Sequence, residues 1–222
     1  MQRRTVSGIK KKINSNNMET IKVKLYDFNE LSPEAQADAI AGNEHINILD
    51  DWFEPVIEGF VEDMKGLGHE IDPKDISFSG FYSQGDGASF TTENGSLSAE
   101  TLVKLVIGEN EEAEVYSVDA TNLMKEAAKN GELEFELVRT THRYVHQNTV
   151  ELRSEYTGDS VHAHVVLDGM HSAIENKLQT YMRNLYDKLE EYYTELRSDE
   201  AVKETLVINE FKYLEDGRQW MD

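Results

Sequence analysis

The chain of 222 residues contains no cysteine, three prolines and only 22 basic residues. The lack of cysteine excludes disulfides, thiolate catalysis and zinc–thiolate sites. No apolar run approaches the roughly 20 residues of a membrane-spanning helix. No apolar core follows the basic residues at the N-terminus, as a signal peptide would require. These absences favour the cytoplasm and predict no direct contact with a membrane.

Acidic residues outnumber basic ones by 43 to 22, which gives a formal net charge of −21. The first 17 residues contribute +5 to this total and residues 18–222 contribute −26. Such a surface repels nucleic acid and anionic membranes and associates fast with basic surfaces. It indicates a binder of a basic protein or a mimic of nucleic-acid charge, although acidic residues also simply promote solubility.

The length and the hydrophobic content of 39% are typical of one globular domain. Residues 1–17 are polar and basic without periodicity, and we interpret them as a flexible basic leader. Met18 directly precedes the first periodic segment, which makes it a candidate natural start. Because no repeat or linker interrupts residues 18–222, we predict that they form a single acidic α+β domain.

Apolar residues at spacings of three and four predict several helices. The first begins at Ser32 and Pro33, which suit the cap and the first turn. The longest is a C-terminal helix from Gly169 to Leu196, whose start matches a capping box at Ser172 and Glu175. Further helices are predicted over 49–64 (starting near Asp50-Asp51 or kinking at Pro55), 98–107 and 118–129, with a short one from Ser198.

Alternation of apolar and polar residues predicts the strands. Thr20–Phe28 and Leu206–Leu214 are predicted to be strands near the two ends of the domain. Between residues 132 and 167 three alternating runs predict an antiparallel three-stranded meander, whose last strand is Val161–Leu167. The predicted fold is an antiparallel sheet, made of this meander and a hairpin, packed by several helices.

The predicted hairpin is Ser77–Phe90, with the sequence SFSGFYSQGDGASF. Its Asp-Gly pair favours a tight turn between arms at Ser77–Ser83 and Ala88–Thr92. Serines and glycines stand where a core strand needs bulk, which is typical of a surface that a ligand or another backbone approaches closely. A hairpin that only turns the chain is the alternative. The predicted binding residues are Ser79, Tyr82, Gln84, Asp86 and Ser89.

Histidine is the main candidate for metal chemistry. If the meander forms as predicted, His142, His146, His162 and His164 fall on its polar face, where imidazoles two residues apart point the same way and could share a divalent metal. Polar strand faces also carry histidines that bind nothing. The sequence has no phosphate loop, nucleophile elbow or zinc-protease helix. It therefore predicts no cofactor and gives no support for catalysis.

Three segments together resemble a known family: 26–40 (YDFNELSPEAQADAI), 77–90 (the hairpin) and 198–218 (SDEAVKETLVINEFKYLEDGR). The family consists of small acidic bacteriophage proteins, often labelled antitoxins of toxin–antitoxin stability systems. The resemblance extends from about Tyr26 to Arg218 and excludes the basic leader. It implies a phage product that acts in the host cytoplasm by neutralising a host or toxin protein. It supplies no catalytic motif.

Three functional hypotheses follow. The first is a non-enzymatic binding protein, an antitoxin-like or counter-defence factor whose partner is a basic host or toxin protein. The second is an acidic mimic of nucleic acid that inhibits a host nuclease or DNA-binding enzyme. The third is a small-ligand-binding or metal-dependent hydrolytic protein that uses the Ser/Gly hairpin. The sequence makes no prediction of the oligomeric state.

Overall fold

The computed structural model describes residues 7–14, 17–108 and 117–221. These residues form six α-helices and eight short strands, and the strands pair as four antiparallel two-stranded ribbons, so the fold is α+β as predicted. The backbone divides into two compact units. One runs up to Trp52 and resumes at Tyr192, and the other spans Phe53–Glu191. No described helix combines the length and the apolar character needed to cross a membrane.

After three strands, the helices follow one another in pairs that are separated by strands. The helices are α1 (Pro33–Ala41), α2 (Glu54–Gly66), α3 (Ala99–Gly108), α4 (Val118–Lys129), α5 (Val161–Leu196) and α6 (Asp199–Ile208). The ribbons pair β1 (Ser7–Asn14) with β2 (Asn17–Lys24), β3 (Tyr26–Asp27) with β8 (Lys212–Tyr213), β4 (Ile76–Phe78) with β5 (Ala88–Phe90), and β6 (Leu133–Arg139) with β7 (Val150–Tyr156).

Strand β1 of the β1–β2 ribbon lies where the sequence predicts a leader without regular structure. Ser7 is opposite Lys24 and Asn14 is opposite Asn17 in its register. The strand predicted from Thr20 is present, divided between β2 and β3. Residues 1–6 and 15–16 of the predicted leader lie outside the described residues. The division into a leader, 1–17, and one domain, 18–222, stays a prediction.

In the first unit, α1 begins as its capping residues predict. The Ala35 amide donates to Ser32 Oγ at 3.2 Å, and Pro33 lies in the first turn, where its missing N–H costs nothing. Helices α1 and α6 pack in a core that also contains a tyrosine of β8. The buried side chains of this core are Phe28, Leu31, Ala35, Ala39, Val202, Leu206 and Tyr213.

The second unit is built on the apolar stripe of α5. Six side chains of the stripe are almost completely buried: Met170, Ile174, Leu178, Met182, Leu185 and Leu189. The β6–β7 ribbon alternates as predicted, with Leu133, Phe135 and Leu137 buried and the intervening glutamates exposed. Helix α2 begins at Glu54, later than the predicted start near Asp50-Asp51, and Pro55 lies in its first turn and does not kink it.

The prediction of a third strand in the meander is wrong, because Val161–Leu167 forms the first turns of α5. Ser160 Oγ accepts from the Ala163 amide at 3.2 Å and caps the helix there. The side chains of Val161 and Val165 are 77% and 63% exposed. In a strand, these two exposed valines would stand on the same face as Ala163 and Leu167, so that face would not be buried. In the helix, Ala163, Val166 and Leu167 together form one buried side.

The long helix begins at Val161 and not at Gly169 as predicted. Ser172 lies eleven residues inside α5, so the proposed capping box with Glu175 does not form. The last predicted strand, Leu206–Leu214, is also too long. Helix α6 continues to Ile208, because Val202 and Leu206 are four residues apart and both fully buried. Only Lys212–Tyr213 is a strand.

A buried histidine joins the end of α2 to the start of α3. His69 is fully buried, and its Nδ1 accepts a hydrogen bond from the Ser98 amide at 2.9 Å. An imidazole that accepts through Nδ1 is neutral and carries its proton on Nε2. Among the described residues Nε2 has no hydrogen-bond partner. Burial lowers the pKa of His69, so the folded state holds this side chain neutral.

We expect His69 to make the protein sensitive to mild acid. The unfolded chain takes up a proton near the ordinary histidine pKa of about 6.5, whereas the folded state takes it up only at lower pH. Stability should therefore fall with pH below about 6.5, by up to about 1.4 kcal/mol per pH unit, until the folded pKa is reached. Urea unfolding between pH 7 and pH 5 measures this slope.

The matched variants for this test are His69→Asn and His142→Asn. An asparagine at position 69 keeps an acceptor for the Ser98 amide without titrating, so the stability of this variant should depend less on pH. His142 is exposed, so His142→Asn is the control for replacing a histidine with asparagine outside the core. Equal slopes for wild type and His69→Asn would show that the acid sensitivity arises elsewhere.

Candidate functional site

The predicted hairpin is present, but its turn is wider than an Asp-Gly turn. Strands β4 and β5 contribute three residues each, with Ile76 opposite Phe90 and Phe78 opposite Ala88. The nine residues Ser79–Gly87 connect them. The Ser79 amide donates to the Gly87 carbonyl at 3.0 Å, and the Gly87 amide donates to Ser79 Oγ at 3.2 Å. These two bonds close the base of the loop.

Asp86 organises the tip of this loop. Its Oδ2 accepts hydrogen bonds from the Tyr82 amide at 3.0 Å and from the Ser83 amide at 2.7 Å. The Asp86 amide donates in turn to the Ser83 carbonyl at 3.1 Å. A carboxylate that bridges successive amides replaces a backbone turn. Asp86 therefore ties the backbone of Tyr82 and Ser83 to the other end of the loop tip.

Two glycines allow the segment around residues 144–146 to pack against the loop. Gly85 has φ +97°, and a Cβ there would lie 2.7 Å from the ring of Tyr144. A Cβ on Gly87 would lie 2.7 Å from the His146 Cα. Both glycines are thus required, one for its backbone conformation and for space, the other for space alone. The close backbone approach that the composition predicts is present between Gly87 and His146.

Helix α5 holds the other side of the loop. The Tyr186 hydroxyl donates to the Gly80 carbonyl at 3.0 Å, and the Phe81 and Tyr186 rings lie 5.4 Å apart. Burial raises the pKa of Tyr186 above the ordinary tyrosine value. The negative charges of Glu190, Asp86 and Asp187 raise it further.

Two tyrosines are exposed at this loop, beside the acidic residues of α5 that follow Tyr186. Tyr82 is 77% exposed, although the backbone that carries it is fixed by hydrogen bonds. Tyr144, against the same loop, is 39% exposed, and the Arg143 guanidinium lies 5.2 Å from the centre of its ring. We call Tyr82, Tyr144 and the carboxylates of Asp187 and Glu190 the Tyr82 surface.

The predicted binding residues fall in different places. Tyr82 and Gln84 are exposed on the loop, while Ser79 and Asp86 take part in its internal hydrogen bonds. Ser89 is fully buried, and its Oγ accepts from Arg139 Nη1 at 3.2 Å, so it contacts the interior and not the surface. Tyr144 and Tyr186 are absent from the predicted set, since only the tertiary fold brings them to the loop.

The four candidate metal ligands do not share a face. His162 and His164 lie in the first turns of α5, where residues two apart point to nearly opposite sides. His146 Nδ1 accepts from the Asn148 amide at 3.2 Å, and His142 is exposed on the connection between β6 and β7. Over the described ranges no three His, Asp or Glu side chains lie close enough together to hold a metal ion.

Two clefts of the second unit lie outside the Tyr82 surface. An open groove of about 710 Å³ runs along the exposed side of β6 and β7, where Glu134, Glu136 and Glu155 line it beside Arg153. A smaller groove of about 220 Å³ lies between α2 and β4 and is mostly apolar. Neither of these two clefts is lined by Ser79, Gln84 or Asp86.

Residues 52–199 match the family of the domain of unknown function DUF8835. This segment is more than half of the 222 residues. The chain belongs to the DUF8835 family. The matched segment contains the whole unit Phe53–Glu191, with the loop, Tyr144 and Tyr186. The DUF8835 domain therefore includes every residue of the Tyr82 surface.

No curated protein and no solved structure shows significant similarity to the chain.

Proposed function

We propose that this DUF8835 protein is a non-enzymatic binding protein that neutralises a basic partner protein through the Tyr82 surface. The observation that carries the proposal is a tyrosine that is 77% exposed on a loop whose tip is hydrogen-bonded to its own carboxylate, Asp86. The resemblance to phage antitoxin-like proteins adds that the partner is a host or toxin protein and that the complex forms in the host cytoplasm.

Three properties of the Tyr82 surface support protein binding. Exposed tyrosines supply much of the binding energy at protein interfaces, because they bury a large area with few rotatable bonds. A loop that is already ordered loses little further conformational entropy on binding. The carboxylates around Tyr186 and the net charge of −21 favour a basic partner, and they raise the rate of encounter with it.

Replacing Tyr82 with alanine should weaken the binding of the partner at least about tenfold, since central interface tyrosines contribute more than about 1.4 kcal/mol. The partner is identified by quantitative affinity purification from phage-infected host cells. Its affinity for wild type and Tyr82→Ala is then measured with the purified protein. The association rate should also fall as the salt concentration rises.

Val161→Ala is the matched control for Tyr82→Ala. Val161 lies in the same unit and is also 77% exposed, but it is outside the loop, so this variant should bind like wild type. Recovery of no specific basic partner would contradict the proposed function. Equal binding by wild type and Tyr82→Ala would place the interface elsewhere on the protein.

A further inference from the structure

The small groove between α2 and β4 combines an apolar floor with an acidic rim. Its floor is made by Phe53, Ile57, Ile76 and Phe78, and the Phe53 and Phe78 rings meet edge to face at 5.1 Å. Its volume of about 220 Å³ is below the range of about 300–1,000 Å³ that small-molecule pockets occupy. The groove is therefore smaller than a typical small-molecule pocket, but it can hold a single side chain of a partner.

Two glutamates form one side of the groove. Glu54 and Glu58 are exposed and stand four residues apart on α2, where like charges repel each other. In the described part of the chain no basic side chain forms an ion pair with either carboxylate. A cation placed between them would relieve this repulsion and gain charge-assisted hydrogen bonds.

Arginine and lysine match this combination of surfaces. Both carry an aliphatic stem that packs on apolar residues and a cationic head that stays at the polar edge. The groove also adjoins the proposed interface along the chain, because Phe78 is its last strand residue and Ser79 begins the loop that carries Tyr82. We propose that the groove binds one arginine or lysine side chain of the basic partner, an inference that rests on the proposed function.

The groove can be tested without the partner. The probe is N-acetyl-arginine methylamide, titrated into the full chain while the methyl signals of Ile57 and Ile76 are followed by NMR. We expect both signals to shift and to saturate. N-acetyl-citrulline methylamide, which has a similar stem without charge, and guanidinium chloride, which has the charge without the stem, should each bind at least tenfold more weakly.

Variants that neutralise Glu54 or Glu58 test whether the cationic head of the probe binds beside these two carboxylates. Glu54→Gln and Glu58→Gln should each weaken binding of the arginine probe at least threefold. Glu62→Gln is the matched control, because Glu62 is also exposed on α2 but does not line the groove. Equal affinities for the arginine and citrulline probes, or no shift of the Ile57 and Ile76 signals, would overturn the proposal.

The result separates this inference from the proposed function. If the partner binds in a Tyr82-dependent manner but the arginine probe does not, only the groove assignment is lost. If no partner is found, the probe titration still measures the groove. Concentration-dependent dimerisation of the chain that Glu58→Gln abolishes would assign the groove to a second copy and overturn the assignment to a partner protein.

Discussion

Leu178→Ala should destabilise the protein by about 2–5 kcal/mol. Leu178 is fully buried in the middle of the apolar stripe of α5. Truncation removes the transfer energy of its side chain and leaves a cavity that the neighbouring side chains only partly fill. Because a domain of this size is stable by only about 5–15 kcal/mol, the loss should be evident as a lower midpoint of urea unfolding.

Asn184→Ala is the control for this substitution. Asn184 is an exposed residue of the same helix, and alanine has the higher helix propensity, so this variant should be as stable as wild type or slightly more stable. A midpoint for Leu178→Ala that differs from wild type no more than that of Asn184→Ala would show that the stripe is not the core of the unit.

The elements that the sequence predicts well are those whose periodicity and caps agree. The first helix has a capping serine, a proline in its first turn and an apolar face, and the structure has α1 there. The segment Val161–Leu167 alternates like a strand, but it forms a helix because Ser160 caps that helix and one face of α5 is buried. The alternation of apolar and polar residues in a short segment contains no information about which face the rest of the fold buries.

The candidate site was predictable only in part for a similar reason. The composition of Ser77–Phe90 indicates a close approach by a ligand or another backbone, and the structure has His146 close to Gly87. It does not indicate which segment approaches, because Tyr144 and Tyr186 are brought to the loop by packing of distant parts of the chain. The histidine prediction is wrong about the shared face because it depends on the third strand, which is a helix.

Gly87→Ala should destabilise the protein by about 1–3 kcal/mol, the usual cost of inserting a methyl group where there is no room. The new Cβ would overlap the backbone of His146, which cannot rotate away as a flexible side chain would. Relief requires the loop to move, and such a movement strains the bonds between Ser79 and Gly87 that close it. Because Tyr82 is held by this loop, partner binding should fall along with stability.

Gly59→Ala separates this effect from the general consequence of replacing a glycine. Gly59 is exposed inside α2, and no atom lies within 4 Å of a Cβ built there. Alanine should therefore raise stability by about 0.5–1 kcal/mol through helix propensity and leave partner binding unchanged. Opposite signs in urea unfolding, together with weaker binding for Gly87→Ala alone, are the expected result. If Gly87→Ala keeps both stability and affinity, the loop does not depend on its contact with His146, and the Tyr82 surface is not fixed by that contact.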